Sequence, residues 1–207
     1  MKEFWNERYG SPDYVYGKEP NEYLKKKLGS LQAGKILFPA EGEGRNAVFA
    51  ACLGWQVTAF DISEEGKNKA FKLAAEKKVR LDYQVLELHK NTFSPEEFDA
   101  IALIYAHFSP QVKEEYFRYL VSFLKVGGYL IFEGFSREHL EYQKKDPGVG
   151  GPKDLETLFS REELKRAFKD FEFSEFLETE ILLNEGRFHR GTGAVIRLMA
   201  RKLPPII

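Results

Sequence analysis

Ile36-Leu37-Phe38-Pro39-Ala40-Glu41-Gly42-Glu43-Gly44-Arg45-Asn46-Ala47 is the stretch on which the fold turns. Lys35 to Pro39 reads as a short buried strand, and Gly44 to Leu53 as a helix stopped by Gly54, with a glycine turn between them. Trp55 to Phe60 reads as a second strand, with Asp61 at its end. A glycine turn lets the backbone come close to a ligand. The helix behind it offers free N–H groups and about half a positive charge. An acid at the end of the second strand can accept both hydroxyls of a ribose.

Working outward, strands and helices alternate. Ser63 is the expected cap of a helix running to about Lys78, with Glu64 and Glu65 in its first turn, where acids suit the dipole. Tyr83 to Glu87 and Asp99 to Tyr105 read as the third and fourth strands. Ser109-Pro110 opens a helix with Val112, Tyr116, Leu120 and Phe123 or Leu124 on one face, which Gly127-Gly128 should end before a fifth strand, Tyr129 to Phe135. Upstream, Pro20 should open a helix reaching Leu28. This alternation predicts an α/β fold: a Rossmann-like, doubly wound, mostly parallel sheet.

The end of the chain differs. After a polar, Gly-rich loop (Gln143 to Pro152), Ser160 and Glu163 form a capping-box pattern for one more helix. Phe171, Phe173, Leu177, Ile181 and Leu183 share one parity, as do Ala194, Ile196, Leu198 and Ala200, with Asn184-Glu185-Gly186 as turn residues between them. The sheet should therefore finish in a C-terminal antiparallel hairpin.

Length and charge narrow the functional classes. A chain of 207 residues fits one domain, 1–207. The net charge of −1 and the lack of a basic stripe argue against nucleic acid as partner. The first ten residues carry no apolar run and no stretch approaches a membrane span, so neither a signal peptide nor a membrane is expected. The single Cys52 excludes an internal disulfide and sits among apolar helix residues, where a buried, inert thiol is expected; a cytoplasmic location follows. His89, His107, His139 and His189 show no paired spacing, so no metal site is expected.

Gly42-x-Gly44-x-x-Ala47 with Asp61 also satisfies the dinucleotide fingerprint, so these residues leave a nicotinamide-dependent oxidoreductase open beside an S-adenosylmethionine enzyme. No Tyr-x-x-x-Lys or similar constellation stands after the fourth strand to support the former.

Nearly the whole chain resembles class I S-adenosylmethionine-dependent methyltransferases, in particular small bacterial enzymes of the tellurite-resistance and thiopurine methyltransferase type. Trp5-x-x-Arg8-Tyr9 and Tyr16-Gly17-x-x-Pro20-Asn21 resemble that group's N-terminal cap over the cofactor, here residues 1–30. Leu37 to Asn46 stands in place of its first glycine motif, and Gly54-Trp55-x-Val57-Thr58-Ala59-x-Asp61-x-Ser63 resembles its second strand and ribose-binding acid. Phe98-Asp99-Ala100-Ile101 and Leu124-Lys125-x-Gly127-Gly128-x-Leu130-Ile131 resemble the fourth strand and the turn into the fifth; Gly150-Gly151-Pro152-Lys153-Asp154 and His189-Arg190-Gly191 look like a subgroup pattern.

The resemblance implies S-adenosylmethionine as cofactor. It is expected to meet Trp5, Arg8, Tyr16, Ala40, Glu41, Gly42, Gly44, Asn46, Asp61, Ile62, Glu87, Leu88 and Tyr105, with Leu86 and Leu88 sandwiching the adenine. Where the family has an acid and then a glycine, this chain has Phe38 and Ala40, which leaves Glu41 as the nearby carboxylate. His107, His189 and Arg190 are the candidate catalytic residues at the acceptor side. The expected partner is a small-molecule acceptor, soft in character (a thiol or chalcogen compound), handled by a monomer or homodimer. A binding protein without catalysis is the third reading, and the missing acid at Phe38 is its support.

Overall fold

The computed structural model describes residues 1–205. Seven strands form one sheet in the order β3-β2-β1-β4-β5-β7-β6: β1 (Lys35–Pro39), β2 (Gln56–Asp61), β3 (Asp82–Val85), β4 (Phe98–Ile104), β5 (Leu124–Phe135), β6 (Phe171–Glu185) and β7 (His189–Lys202). The first five run parallel; β7 lies antiparallel between β5 and β6. The fold is thus Rossmann-like with a terminal antiparallel hairpin, as the alternation of the sequence predicts.

The helices are α1 (Lys2–Tyr9), α2 (Glu22–Leu28), α3 (Arg45–Cys52), α4 (Glu64–Lys77), α5 (Pro110–Phe123), α6 (His139–Lys145) and α7 (Arg161–Ala167). Each sheet face has its own core. Leu24 and Leu28 of α2 and Ala47 and Ala50 of α3 pack on Ile36, Phe38, Ala102, Ile131 and Met199. On the other face Phe117, Leu120 and Phe123 of α5 and Leu164 of α7 pack on Leu37, Ile101, Leu103, Phe132 and Leu198. Burying each of the Leu, Ile, Phe and Met side chains stabilises by about 1.5–3 kcal/mol. No helix of the described residues is long and apolar enough to cross a membrane.

Local chemistry sets the helix starts. Ser63 accepts from Gly66 N and Ser160 from Glu163 N, as their sequence positions imply. The reciprocal half of the second capping box is replaced: Glu163 pairs instead with buried Lys113, 3.0 Å away. Helix α2 is capped by Asn21, which accepts from Leu24 N, rather than opened by Pro20.

Other expectations need correction. The buried stripe of α5 is Lys113, Phe117, Leu120 and Phe123, one residue on from the Val112/Tyr116 reading, because Lys113 spends its ammonium on the carbonyls of Glu156 and Leu158. Gly127-Gly128 does not end that helix; β5 already begins at Leu124, and the register shift between Phe98 and Ala100 absorbs the glycines. The Gln143–Pro152 stretch is not all loop, since α6 runs into it and a 3-10 turn follows at Pro147–Val149. Cys52 is exposed, at the solvent end of α3, not a buried thiol.

The strand order reverses between β1 and β4. Such a switch point opens a crevice beyond the carboxyl ends of the strands, where α/β folds bind ligands. Ala40, following β1, and Tyr105, following β4, flank it, and both hold positive φ, +50° and +53°. Residues other than glycine pay for that conformation, and such strain concentrates at functional sites.

Candidate functional site

The glycine turn is tightly built. Gly44 has φ +85°, and a Cβ there would lie 2.4 Å from that of Ala70, so glycine lets α3 press against α4. The amides of α3 are not free as the sequence suggests: Glu41 Oε1 accepts from Asn46 N at 2.9 Å and Ala47 N at 2.8 Å. Burial pushes the Glu41 carboxyl up to about 8 against the pull of those two amides and of Arg45. Phe38, in the place of the missing acid, is wholly buried in the α2/α3 core.

Asp61 ends β2 within reach of the same turn. Its Oδ2 accepts from Gly42 N at 2.9 Å and its Oδ1 from Ser63 N at 3.0 Å, while burial raises its pKa. A carboxylate has about four lone-pair sites, so both oxygens retain capacity for ribose hydroxyls.

The N-terminal segment closes over the turn. Tyr9 lies against Gly42, where a Cβ would come within 2.6 Å of its hydroxyl, and Trp5 stacks on Tyr9 at 5.3 Å. Arg8 donates to Tyr16 Oη at 3.1 Å and stands over Phe4 (4.5 Å) and Phe188 (4.9 Å), so this conformation already engages its guanidinium. The segment is anchored by Glu43, which accepts from Val15 N and Tyr16 N and pairs with Lys69.

Behind the cap lies a buried polar cluster that the sequence reading missed. Glu133 of β5 accepts from Asn21 Nδ2 (2.6 Å), Tyr105 Oη (2.9 Å) and Arg197 Nε (2.5 Å). Glu185, at the end of β6, accepts from Asn21 Nδ2 (2.9 Å) and Arg45 Nη2 (2.9 Å), and His189 Nδ1 stands 3.4 Å away. Arg45 and His189 outweigh the burial of Glu185 and hold its carboxyl down at about 2. Asn46, also expected at the turn, accepts from Asn21 N.

Of the expected residues, Trp5, Arg8, Tyr16, Ala40, Glu41, Gly42, Gly44, Asn46, Asp61, Tyr105 and His189 gather around the carboxyl end of the parallel strands. Ile62 and Leu86 are half-buried beside it. Leu88 instead packs into the α5 core, and Glu87 is exposed. Arg190 is exposed too, donating to Gly186 O, because alternate residues of β7 face opposite sides.

The three buried or half-buried histidines divide sharply. His107 Nδ1 meets Thr157 O at 3.2 Å and its Nε2 accepts from Phe135 N at 3.3 Å. His139 Nε2 meets Gly150 O at 3.0 Å and its Nδ1 accepts from Ala194 N at 3.3 Å. Both rings are neutral packing groups with no nitrogen left to take a proton, which removes His107 as a base in this conformation. Only His189 keeps Nε2 without a hydrogen-bond partner among the described residues.

Burial drives the His107 pKa down to about 3. A histidine depressed when folded contributes stability that is whole above the unfolded value, near 6.5, and is lost as pH falls below it. Between pH 6.5 and 4.5, wild-type stability should therefore fall more steeply than that of His107→Asn, by about 1.4 kcal/mol per pH unit. Urea denaturation at a series of pH values measures this; parallel curves would show that the ring protonates within the folded protein.

Comparisons with known proteins bear on residues 36–128 and on the fold. Residues 36–128 match the model of a methyltransferase domain. Over 186 residues the chain is 25% identical to the probable S-adenosyl-L-methionine-dependent methyltransferase TehB of Haemophilus influenzae, covering 82% of this chain. The chain spans only 59% of that relative's length. The solved TehB structure superposes with a TM-score of 0.69 at 18% identity, over 97% of this chain and 66% of that one. A structure described for the conversion of a disulfide bond into a thioacetal group during echinomycin biosynthesis gives 0.78 at 18% identity, over 98% and 92% of the two chains. Magnesium protoporphyrin IX methyltransferase from Synechocystis, solved with bound S-adenosylhomocysteine, gives 0.67 at 15% identity, over 97% of each chain. At these identities the superpositions speak to the fold, and the domain match and TehB relative speak to the family and its cofactor, S-adenosylmethionine. Through residues 36–128 and the fold around them, the chain is similar to the class I S-adenosylmethionine-dependent methyltransferases, TehB among them.

Proposed function

We propose that this protein methylates a small, soft acceptor, a thiol or chalcogen compound, at the carboxyl end of the parallel strands between Tyr105 and His189. S-adenosylmethionine, when bound, supplies a methyl group already activated by its sulfonium, so the protein's work is placement. Asp61 takes the ribose hydroxyls, Glu41 the ammonium of the amino-acid moiety, and Trp5 and Tyr16 cover the cofactor.

The observation that carries this reading is the meeting of the glycine turn, Asp61, Tyr105 and His189 at one switch point. The character of the walls supports a soft acceptor: Tyr16, Tyr105 and Phe135 lie 4.6, 4.7 and 5.2 Å from the His189 ring. Sulfur makes favourable contacts with aromatic rings. The sulfur chemistry in the description of one structural neighbour points the same way. In this reading the protein works in the cytoplasm as a monomer or homodimer, without a nucleic-acid or membrane partner.

A panel of thiols, selenides, amines, carboxylates and phenols incubated with S-adenosylmethionine tests the proposal. Methylated thiol or chalcogenide is expected; turnover of an amine or carboxylate with none of these would overturn it. Phe38 and the occupation of the α3 amides by Glu41 favour one second reading, a binding protein without catalysis. Tight cofactor binding with no product from any acceptor would select it.

A further inference from the structure

We infer that Glu185 is a positioning residue, fixing His189 with its Nε2 lone pair available to take the proton of the acceptor. This inference rests on the methyl-transfer reading above. Glu185 and His189 face each other as the last and first residues of β6 and β7. The carboxylate cannot swing away, because Arg45 Nη2 and Asn21 Nδ2 each hold one of its oxygens at 2.9 Å. Arg45 is the first residue of α3, so the clamp begins at the glycine turn itself.

With Nδ1 turned toward a fixed carboxylate, the imidazole proton sits on Nδ1, and Nε2 is left basic. The ring cannot easily flip, being wedged among Tyr16, Tyr105 and Phe135. Gly150 makes room for the Cδ2 edge of the ring: a Cβ there would lie 3.1 Å from His189 Cδ2 and 2.0 Å from Phe188 O. A base oriented by a third group is the arrangement that activates weak nucleophiles. His107 and His139, around the same Phe135 ring, spend both nitrogens on backbone groups and cannot substitute.

The chemistry closes for a thiol acceptor. Its S–H proton passes to Nε2 and the electron pair stays on sulfur to form the new S–C bond. The methyl carbon's bond to the sulfonium breaks, returning that pair to the cofactor sulfur. The imidazolium charge is matched by Glu185, and the proton then leaves to water.

The test compares wild type with Glu185→Gln, Glu185→Asp and His189→Ala. Glutamine keeps the size of the side chain and one of the two acceptor oxygens that serve Arg45 and Asn21, and thermal melts and S-adenosylhomocysteine affinity verify that each variant is folded. In the cofactor-free protein, ring-nitrogen NMR should show His189 as the Nδ1–H tautomer, shifting toward Nε2–H in Glu185→Gln. With the thiol found in the panel, kcat should fall at least tenfold in Glu185→Gln and His189→Ala and recover partly in Glu185→Asp. The acid limb of the kcat/KM profile should move to lower pH in Glu185→Gln, since loss of the carboxylate weakens the base; a merely structural role would lower the plateau and leave the limb in place. An unchanged tautomer, superimposable pH profiles, or full turnover by His189→Ala would each overturn the inference. Failure of wild type itself to bind S-adenosylhomocysteine would instead overturn the methyl-transfer reading.

Discussion

Glu133→Ala is expected to cost about 3–5 kcal/mol of folding stability, the range found when one partner of a buried ion pair is removed. The carboxylate is 1% exposed and satisfies three donors from three parts of the chain: Arg197 across the β5–β7 ladder, Tyr105 after β4, and Asn21 at the cap of α2. Truncation leaves a guanidinium without its counter-charge and two further donors without an acceptor, each a desolvation cost with nothing to offset it. For a chain of this size the midpoint of thermal unfolding should drop by roughly 10 °C. Glu133→Leu combined with Arg197→Met removes the charges together and should recover most of the loss. A cost below about 1 kcal/mol for the single variant would mean that water reaches Arg197 and that the cluster is not the rigid floor of the site.

The sequence made the parallel part of the fold legible because its signals there are local. The bounds of β1 came out as read, since Lys35 to Pro39 is an apolar run between a glycine and the turn, and Ser63 marked the start of α4 through its cap. The polar cluster was not legible, for the opposite reason. Asn184-Glu185-Gly186 has turn composition, yet β6 runs through Glu185, and nothing near it in sequence announces Arg45, whose guanidinium holds it from 140 positions away. His107 and His189 looked alike as histidines at the ligand-binding end of the sheet. What separates them is whether a backbone amide takes the second nitrogen, and that depends on tertiary packing. Helix α6 was hidden because only His139 of it is buried, which leaves no apolar periodicity to read.

Asp61→Ala is expected to weaken S-adenosylhomocysteine binding about 100-fold, the loss of two hydrogen bonds to a charged acceptor at about 1.5 kcal/mol each. Asp61→Asn keeps one acceptor oxygen for Gly42 N or Ser63 N, and thermal melts of both variants separate the lost ribose contacts from damage to the turn. The companion variant Glu41→Gln should divide the ligand in two. Glutamine still accepts from Asn46 N and Ala47 N, so α3 stays capped, but it offers no negative charge to an ammonium. Affinity for S-adenosylhomocysteine should therefore fall about tenfold, as befits one charge-assisted bond, while 5′-methylthioadenosine, which lacks the amino-acid group, binds as to wild type. Proton release gives a second readout. With its carboxyl raised to about 8, Glu41 is mostly protonated at pH 7, and an arriving ammonium favours the ionised form. Close to one proton should leave on binding, seen as a calorimetric enthalpy that varies with the ionisation enthalpy of the buffer, and the effect should vanish in Glu41→Gln. Equal losses for both ligands would make Glu41 a cap for α3 alone, and the chain would then have no carboxylate in place of the acid that Phe38 displaced.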